Sequence, residues 1–218
     1  MLPRSVLYDP ELTLSLPPGM SATSGMNAIA HAVEGLYAPD ATPIVSLMAE
    51  EGARALIAAL PRLVADGTDR DARAQAQYGA WLCGAVLAAT TMSLHHKLCH
   101  TLGGTLDLPH AQTHTVVLPH ALAYNQPAAP DAVAALSRAL GGTSDPARQL
   151  WELAGRLGAP RSLAELGMAE ADIPRIAELA VAGAAGSGYH NPRPVTRDGV
   201  EFLLRAAWAG EAPTVPRL

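Results

Sequence analysis

Aromatic residues are scarce in this chain of 218 residues: they make up 4% of it, with a single Phe. Strands favour aromatic and β-branched side chains, whereas Ala and Leu, which dominate here, favour helices. A β-sandwich is therefore not expected. Hydrophobic residues make up 49% of the chain, which is enough for a sizeable buried core, so disorder is not expected either. The composition indicates tightly packed helices.

Charged residues are also few, at 16%, and the formal net charge is −5. No run of Lys or Arg occurs, so the sequence does not predict the basic surface that nucleic-acid binding needs. The two cysteines, Cys83 and Cys99, fit a reducing compartment better than a disulfide framework. No apolar stretch reaches the length of a membrane span, and the first residues lack the pattern of a signal peptide. The sequence therefore predicts a cytoplasmic protein that binds neither nucleic acid nor membrane.

The hydrophobic pattern is that of a helical protein with one exception near its start. Val6–Tyr8 forms a short β-like run that Asp9-Pro10 ends, and the later segments show apolar residues at three- and four-residue steps. This pattern predicts one all-α domain of eight to ten helices across residues 1–218, with a junction segment at 1–20 and the helical core at 21–218. A lone strand cannot pair with itself, so this one would belong to a sheet that the chain does not supply.

Histidines are concentrated in one stretch, since five of the eight lie within residues 93–114. His96 and His100 are four residues apart and would share a helix face, and His110 and His114 repeat that spacing. Between the two pairs, Gly103-Gly104 predicts a turn that returns His110 toward His96.

A third set with helical spacing lies earlier in the chain. Asn27 and His31 are four apart, and Glu34 follows on the same face, where we expect it to orient an imidazole. Imidazoles at this spacing can bind a divalent metal, although a single pair is more often a satisfied core or surface pair. Three such spacings within apolar helices favour one shared site, because buried histidines are costly unless they are hydrogen-bonded or ligated.

Four segments of the chain resemble the iron-containing alcohol dehydrogenase superfamily, and within it the maleylacetate reductases. They are "SATSGMNAIAHAVEGLYA", "LHHKLCHTLGG", "DLPHAQTHTVVLPHALAYN" and "YHNPRPVTR". Enzymes of this superfamily have an N-terminal nucleotide-binding α/β domain followed by an all-helical domain that carries the metal ligands. The resemblance covers nearly the whole chain but only the second domain. It implies that the nucleotide-binding domain is absent and that the predicted strand is a remnant of the junction.

The resemblance also implies roles for the histidines. The three histidine ligands of the superfamily correspond to His31, His96 and His110, and His100 matches a further active-site histidine suited to a proton relay or substrate contact. Asn27 stands where the superfamily has an Asp ligand. A neutral amide cannot offset the charge of a cation, so bound Fe²⁺ or Zn²⁺ is less favoured here than an empty site.

Three further residues are candidates for the substrate site. Lys97 and Arg193 could hold substrate carboxylates, although each could instead be a solvated side chain. Tyr189 could line the same cleft or serve only its loop. Asn27 becomes a substrate contact if no metal binds. We expect Cys99 to be a core residue, and His95 and His120 to be structural or exposed.

The resemblance implies an oxidoreductase that reduces a small unsaturated oxo-dicarboxylate, maleylacetate, to 3-oxoadipate with NAD(P)H. The catalytic candidates are His100, His96, His31 and His110, with the proton coming from His100 or His96. No glycine-rich nucleotide loop occurs, so a separate nucleotide-binding half is expected. The alternative is a cofactor-free acid/base enzyme such as an isomerase, hydratase, lyase or cyclase, and a third interpretation is a non-catalytic subunit. An exposed apolar face would favour a homo-oligomer or a complex with a nucleotide-binding partner.

Overall fold

The structure, a computed structural model, describes residues 5–216 and confirms the predicted all-α class. Within that range no residue belongs to a strand, and no helix combines the length and hydropathy needed to cross a membrane. Residues 1–4 of the predicted junction lie outside the described residues. The α-helices are α1 (Pro18–Leu36), α2 (Pro43–Ala65), α3 (Arg70–Ala89), α4 (Leu94–Leu106), α5 (His110–Asn125), α6 (Pro130–Ala139), α7 (Pro146–Arg156), α8 (Ile173–Ser187) and α9 (Arg197–Ala209).

Local sequence signals explain where several helices begin. Thr42, Asp69, Asp145 and Thr196 are N-cap residues, and the side chain of each accepts the backbone N–H three positions later at 2.9–3.3 Å. Such a cap satisfies one of the amides that the first helical turn leaves without a partner. Helix α8 ends at Gly188 in the left-handed conformation, which glycine adopts without steric penalty.

Helix α5 lies at the centre of the molecule. All of its residues from Thr113 onward are buried, and it contributes to both hydrophobic clusters of the core. Leu118 and Leu122 pack with α1, α2, α6 and α7, whereas Val117 and Tyr124 pack with α4, α8 and α9. A helix that is apolar on all sides has to be enclosed by others. Only its first turn, at His110, reaches the surface.

The strand predicted at Val6–Tyr8 is not formed. These residues have no regular secondary structure, and their exposed fractions are 53%, 96% and 46% for Val6, Leu7 and Tyr8. A strand needs a second strand to accept and donate its backbone hydrogen bonds, and residues 5–216 provide none. The local β preference of this segment is therefore not enough to produce a strand.

The turn predicted at Gly103-Gly104 is also misplaced, because both glycines lie inside α4. The helix continues to Leu106 and ends at Asp107, whose φ of 54° is the left-handed conformation. Aspartate tolerates that conformation better than most residues because its short side chain can hydrogen-bond locally. The chain then reverses through Pro109, and His110 returns to lie beside His100 in the middle of α4, with 6.3 Å between the ring centroids.

Several large apolar side chains are exposed, as expected for a face that another surface covers. Tyr8, Tyr78 and Trp81 line one hollow between the N-terminal segment and α3, and each is 44–46% exposed. On α2, Ile44 and Leu47 are 71% and 70% exposed. The partner that would cover these residues stays a prediction.

Two glycines allow α2 and α3 to meet backbone to backbone. A Cβ added to Gly79 would lie 3.0 Å from the carbonyl oxygen of Gly52 and 2.8 Å from Leu56 Cγ. A Cβ added to Gly52 would lie 3.2 Å from the carbonyl oxygen of Gly79. Gly84, farther along α3, has open space at the same position.

We expect Gly79→Ala to destabilise the protein by about 1–3 kcal/mol, because α2 and α3 must move apart to admit the methyl group. Gly84→Ala is the matched control on the same helix, and it should stabilise the protein by up to about 1 kcal/mol through helix propensity. Urea unfolding measures both free energies. Equal changes in the free energy of unfolding for the two substitutions would show that the close contact between the helices does not affect stability.

Candidate active site

Glu34 holds the start of α4 in place. Its carboxylate, on the last turns of α1, is 0% exposed and accepts the backbone N–H groups of Ser93 at 2.9 Å, His95 at 2.8 Å and His96 at 3.4 Å. These amides belong to the N-terminus of α4, so a side chain distant in sequence caps the helix. The hydroxyl of Ser93 does not cap its own helix, since it donates to the carbonyl of His190 at 2.6 Å. A negative charge is favoured at this end of a helix.

The same carboxylate fixes the orientation of His96. Glu34 Oε2 lies 2.8 Å from His96 Nδ1. Because Nδ1 carries the proton that it donates to the carboxylate, Nε2 keeps a free lone pair. That Nε2 atom is buried and has no hydrogen-bond partner among the described residues. A carboxylate behind an imidazole in this way sets both the tautomer and the ring orientation.

Burial raises the pKa of Glu34, while His95 and the backbone N–H groups of Ser93, His95 and His96 oppose that rise. Every contact of the carboxyl group is with an N–H or O–H donor, and the hydroxyl of Tyr37 at 3.3 Å completes the set. Both oxygens therefore act as acceptors, which is the pattern of a carboxylate at neutral pH. Its negative charge is used within the protein and is not exposed at the surface.

Six imidazoles from α1, α4 and α5 form one cluster. His31 stacks on His96 with 4.8 Å between ring centroids, and His114 lies 4.9 Å from His96 and 4.2 Å from His110. His100 lies 6.3 Å from both His96 and His110. His95 is the fully buried member of the cluster. Its Nε2 lies 3.0 Å from the carbonyl of His114, and its Nδ1 lies 3.3 Å from His96 Nδ1.

The buried imidazoles of the cluster are neutral at neutral pH. Burial, reinforced by His96, lowers the pKa of His31 to about 4 and that of His95 to about 3. Burial and the neighbouring His100 and His110 lower the pKa of His96 to about 3. Burial likewise lowers the pKa of His114, and less strongly that of His100, the shallower of the two. Neutral imidazoles supply lone pairs and N–H donors, but no positive charge.

The four predicted catalytic histidines, His31, His96, His100 and His110, do lie in one cluster, and their roles stay predictions. The sequence did not place His95 and His114 among the site residues. His95 is structural as expected and is buried, and Cys99 and His120 are buried core residues. His114 could have been included from its spacing to His110, because residues four apart share a helix face.

The predicted metal ligands His31, His96 and His110 do not have their donor atoms within 4.8 Å of one another in this arrangement. Among the described residues, two sets of three His, Cys, Asp or Glu side chains have donor atoms within 4.8 Å of one another, and neither set is this one. Asn27 contributes a buried Oδ1 without a partner, but this is a neutral donor. The two sets are Glu34, His95 and His96, and His95, Cys99 and His114. The members of the first set already bond one another.

The predicted substrate residues are placed differently from one another. Lys97 forms no ion pair with any described carboxylate, and its Nζ lies 5.9 Å from the centre of the Tyr189 ring. The Tyr189 hydroxyl is buried without a partner among residues 5–216, and burial raises its pKa to about 12. Arg193 is engaged elsewhere. Its guanidinium donates to the carbonyls of Tyr124 at 2.9 Å and Pro216 at 3.4 Å, which favours a structural role.

Residues 21–208 match the family described as "Fe-containing alcohol dehydrogenase family, C-terminal". The chain belongs to the iron-containing alcohol dehydrogenase family. It is 60% identical over 213 residues to a maleylacetate reductase of Sphingobium indicum and 57% identical to one of Delftia acidovorans, in each case over 98% of this chain. These members of the family are oxidoreductases by name. The chain spans 59% of the length of each.

Solved structures of the family agree with the fold. The maleylacetate reductases of Rhizobium sp. strain MTP-10005 and of Agrobacterium tumefaciens each superimpose with a TM-score of 0.92, at 54% and 53% identity. In both cases the match covers 97% of this chain and 59% of the other. The nine described helices are therefore the C-terminal helical domain of this family, and they resemble that domain of maleylacetate reductases.

We expect Glu34→Gln to cost about 1.5–3 kcal/mol of folding free energy, because hydrogen bonds to a charged group are lost at the start of α4. Where the amide nitrogen replaces Oε2, it would also donate to His96 Nδ1 and so move the imidazole proton to Nε2, whereas an amide oxygen at that position would keep the proton on Nδ1. Nitrogen-15 chemical shifts of His96 report that tautomer, and urea unfolding reports the free energy.

The control for Glu34→Gln is Glu50→Gln, which breaks the surface ion pair with Arg138. Such pairs contribute at most about 1 kcal/mol, and the tautomer of His96 should not change. An unchanged tautomer together with an unchanged free energy of unfolding in Glu34→Gln would show that Glu34 neither orients His96 nor supports the start of α4.

His120 gives a test of the cost of burying an imidazole, because burial alone lowers its pKa to about 4. Below pH 6.5 the unfolded chain binds a proton at His120 that the folded protein does not bind until the pH nears 4. The stability present above pH 6.5 is therefore lost as the pH falls toward 4. Between pH 7.5 and pH 5 this loss is about 2 kcal/mol, and His120→Leu should remove it from the pH profile of urea unfolding. Leu118→Met, on the same helix, should leave the profile unchanged. A profile that is the same with and without His120 would contradict the assignment.

Proposed function

We propose that this chain forms the helical, proton-supplying part of a reductase that acts on a small unsaturated oxo-dicarboxylate such as maleylacetate, with NAD(P)H as hydride donor. The observation that carries the proposal is the cluster of neutral imidazoles built around the Glu34–His96 pair. The 60% identity to a named maleylacetate reductase supports the same substrate class. A bound nicotinamide would supply the hydride to one carbon of the double bond conjugated to the oxo group.

The proton for the neighbouring carbon comes from the imidazolium form of His100, which is left as a neutral imidazole. This imidazole is exposed at the mouth of the cluster, so it can recover a proton from water after each turnover. Its neighbours His96 and His110 each lie 6.3 Å away between ring centroids. Because His96 Nε2 keeps a free lone pair, it can accept a hydrogen bond from the substrate side of the cluster. Positioned proton donors of this kind raise rates about 10²–10⁴-fold.

Two side chains suit the negative charges of the substrate. Lys97 lies one residue after His96 with its ammonium group unpaired among the described residues, and the Tyr189 hydroxyl beside it lacks a partner. An ammonium and a phenol hydroxyl both donate hydrogen bonds to a carboxylate. Asn27, with its partnerless Oδ1 on the same helix as His31, is a third contact. We assign these three residues to substrate binding.

The proposal places the nucleotide on protein beyond the span of this chain. Phosphates of a dinucleotide usually lie on a glycine-rich loop between a strand and a helix, and residues 5–216 contain no strand. The exposed apolar side chains of Tyr8, Tyr78 and Trp81 suit a covering surface, supplied by a nucleotide-binding partner or a further copy of the chain.

We expect His100→Asn to lower kcat with maleylacetate by about 10²–10⁴-fold while KM changes little, because the residue acts on the proton and not on the bound carboxylates. The assay follows the loss of NADH or NADPH absorbance with the chain combined with its nucleotide-binding half. His190→Asn is the control, since it removes an exposed histidine outside the cluster.

The rival activity has a distinct outcome in the same assay. Conversion of maleylacetate without consumption of NADH or NADPH would contradict the reductase and favour a cofactor-free acid/base enzyme. Saturable binding of NADH or NADPH, together with oxidation that depends on His100, would support the reductase.

A further inference from the structure

A cavity separate from the histidine cluster lies between the N-terminal halves of α1 and α3 and the C-terminal half of α2. Its volume is about 140 Å³, and its wall is mostly apolar. Leu56, Leu60 and Leu63 of α2 face Leu16 and Ala80 across it. Polar groups reach the wall at few positions, and one of these is a buried cation.

That cation is Arg73, which is only 2% exposed. Its guanidinium donates to the carbonyl of Gly67 at 2.9 Å, to Ser21 Oγ at 3.2 Å and to the carbonyl of Leu16 at 3.1 Å. All three acceptors are neutral. No carboxylate of the described residues lies within 4 Å of it, unlike the paired surface arginines Arg54, Arg62, Arg70, Arg138, Arg148, Arg197 and Arg205.

A buried charge without a counter-ion is unfavourable, and buried arginines are normally paired with an anion. A guanidinium has five N–H donors, and the three hydrogen bonds above leave two of them free on a group that lines the cavity. A carboxylate is the ligand that this fork matches in both charge and shape. A second wall atom, Gln77 Oε1, is also buried without a partner among residues 5–216.

The size of the cavity limits what else the ligand can contain. An apolar cavity of about 150 Å³ in another protein holds one benzene molecule. The apolar wall here therefore accommodates a body of about one six-membered ring. Ser24, at the edge of the cavity, lies seven residues before His31 on α1, which is about 10 Å along the helix axis. The cavity is thus not part of the histidine cluster.

We propose that this cavity binds a small monocarboxylate with an apolar body of about one ring, and that its carboxylate pairs with Arg73. The site is independent of the proposed reductase activity, because it uses none of the residues assigned to that reaction. Leu56, Leu60 and Leu63 enclose the apolar body, and the guanidinium supplies the charge.

Calorimetric titration of the chain with benzoate tests the proposal, with benzyl alcohol as an uncharged ligand of similar shape. Benzoate should bind saturably and at least about 10-fold more tightly than benzyl alcohol, because a hydrogen bond to a charged group contributes about 1.5 kcal/mol or more. Arg73→Met should remove this preference. Arg70→Gln is the matched control, since it removes an exposed arginine one turn away and should leave benzoate binding unchanged.

A second variant keeps the test decisive if Arg73→Met fails to fold. Ala80→Leu fills the cavity from α3 and leaves the guanidinium in place, so it should abolish the binding of both ligands. Failure of benzoate to bind the unaltered chain would overturn the proposal. Equal affinities for benzoate and benzyl alcohol would also overturn it, and so would benzoate binding that survives Ala80→Leu.

Discussion

One buried carboxylate joins the parts of the candidate active site. Glu34 lies near the C-terminal end of α1. Its carboxylate accepts hydrogen bonds from the first backbone N–H groups of α4 and orients His96 through a 2.8 Å contact with Nδ1. If it were absent, α4 would begin with unsatisfied backbone donors in a buried environment, which is unfavourable in any fold. The imidazoles on that helix would also lose the group that decides which nitrogen carries the proton. Structure and chemistry therefore depend on the same side chain.

The second constraint is the burial of α5. Because the helix packs on both hydrophobic clusters, its axis is fixed by contacts on every side, and the positions of His110 and His114 are fixed with it. Residues that act together in catalysis need such rigid support, since small displacements are costly. Among the imidazoles of the cluster, His110 on the first turn of α5 and His100 in the middle of α4 are exposed to solvent. The exposed imidazoles are consequently the ones that can meet a substrate.

Much of this arrangement follows from the sequence, because helical spacing alone predicts which residues share a face. That argument correctly grouped His96 with His100, and Asn27 with His31. Contacts between residues distant in sequence cannot be predicted in this way. No sequence pattern around Glu34 indicates that it caps a helix that starts almost sixty residues later. The strand predicted at Val6–Tyr8 is not formed for the same reason, because it needs a partner strand that residues 5–216 do not contain. The carbonyl acceptors of Arg193 are also distant in sequence, and its role in substrate binding stays a prediction.

The donor groups of the candidate site are almost all neutral. The buried imidazoles are neutral, Asn27 brings no charge, and the one carboxylate is already shared among backbone amides and His96. A divalent ion placed here would be held by neutral lone pairs, which zinc accepts from sets of three histidines, so charge alone does not decide against it. A dicarboxylate would meet the ammonium group of Lys97 and uncharged donors, with Glu34 turned inward and fully buried. The resemblance implies that Asn27 stands where the superfamily has a ligand Asp, and an amide at that position leaves the site with one negative charge fewer on the same helices.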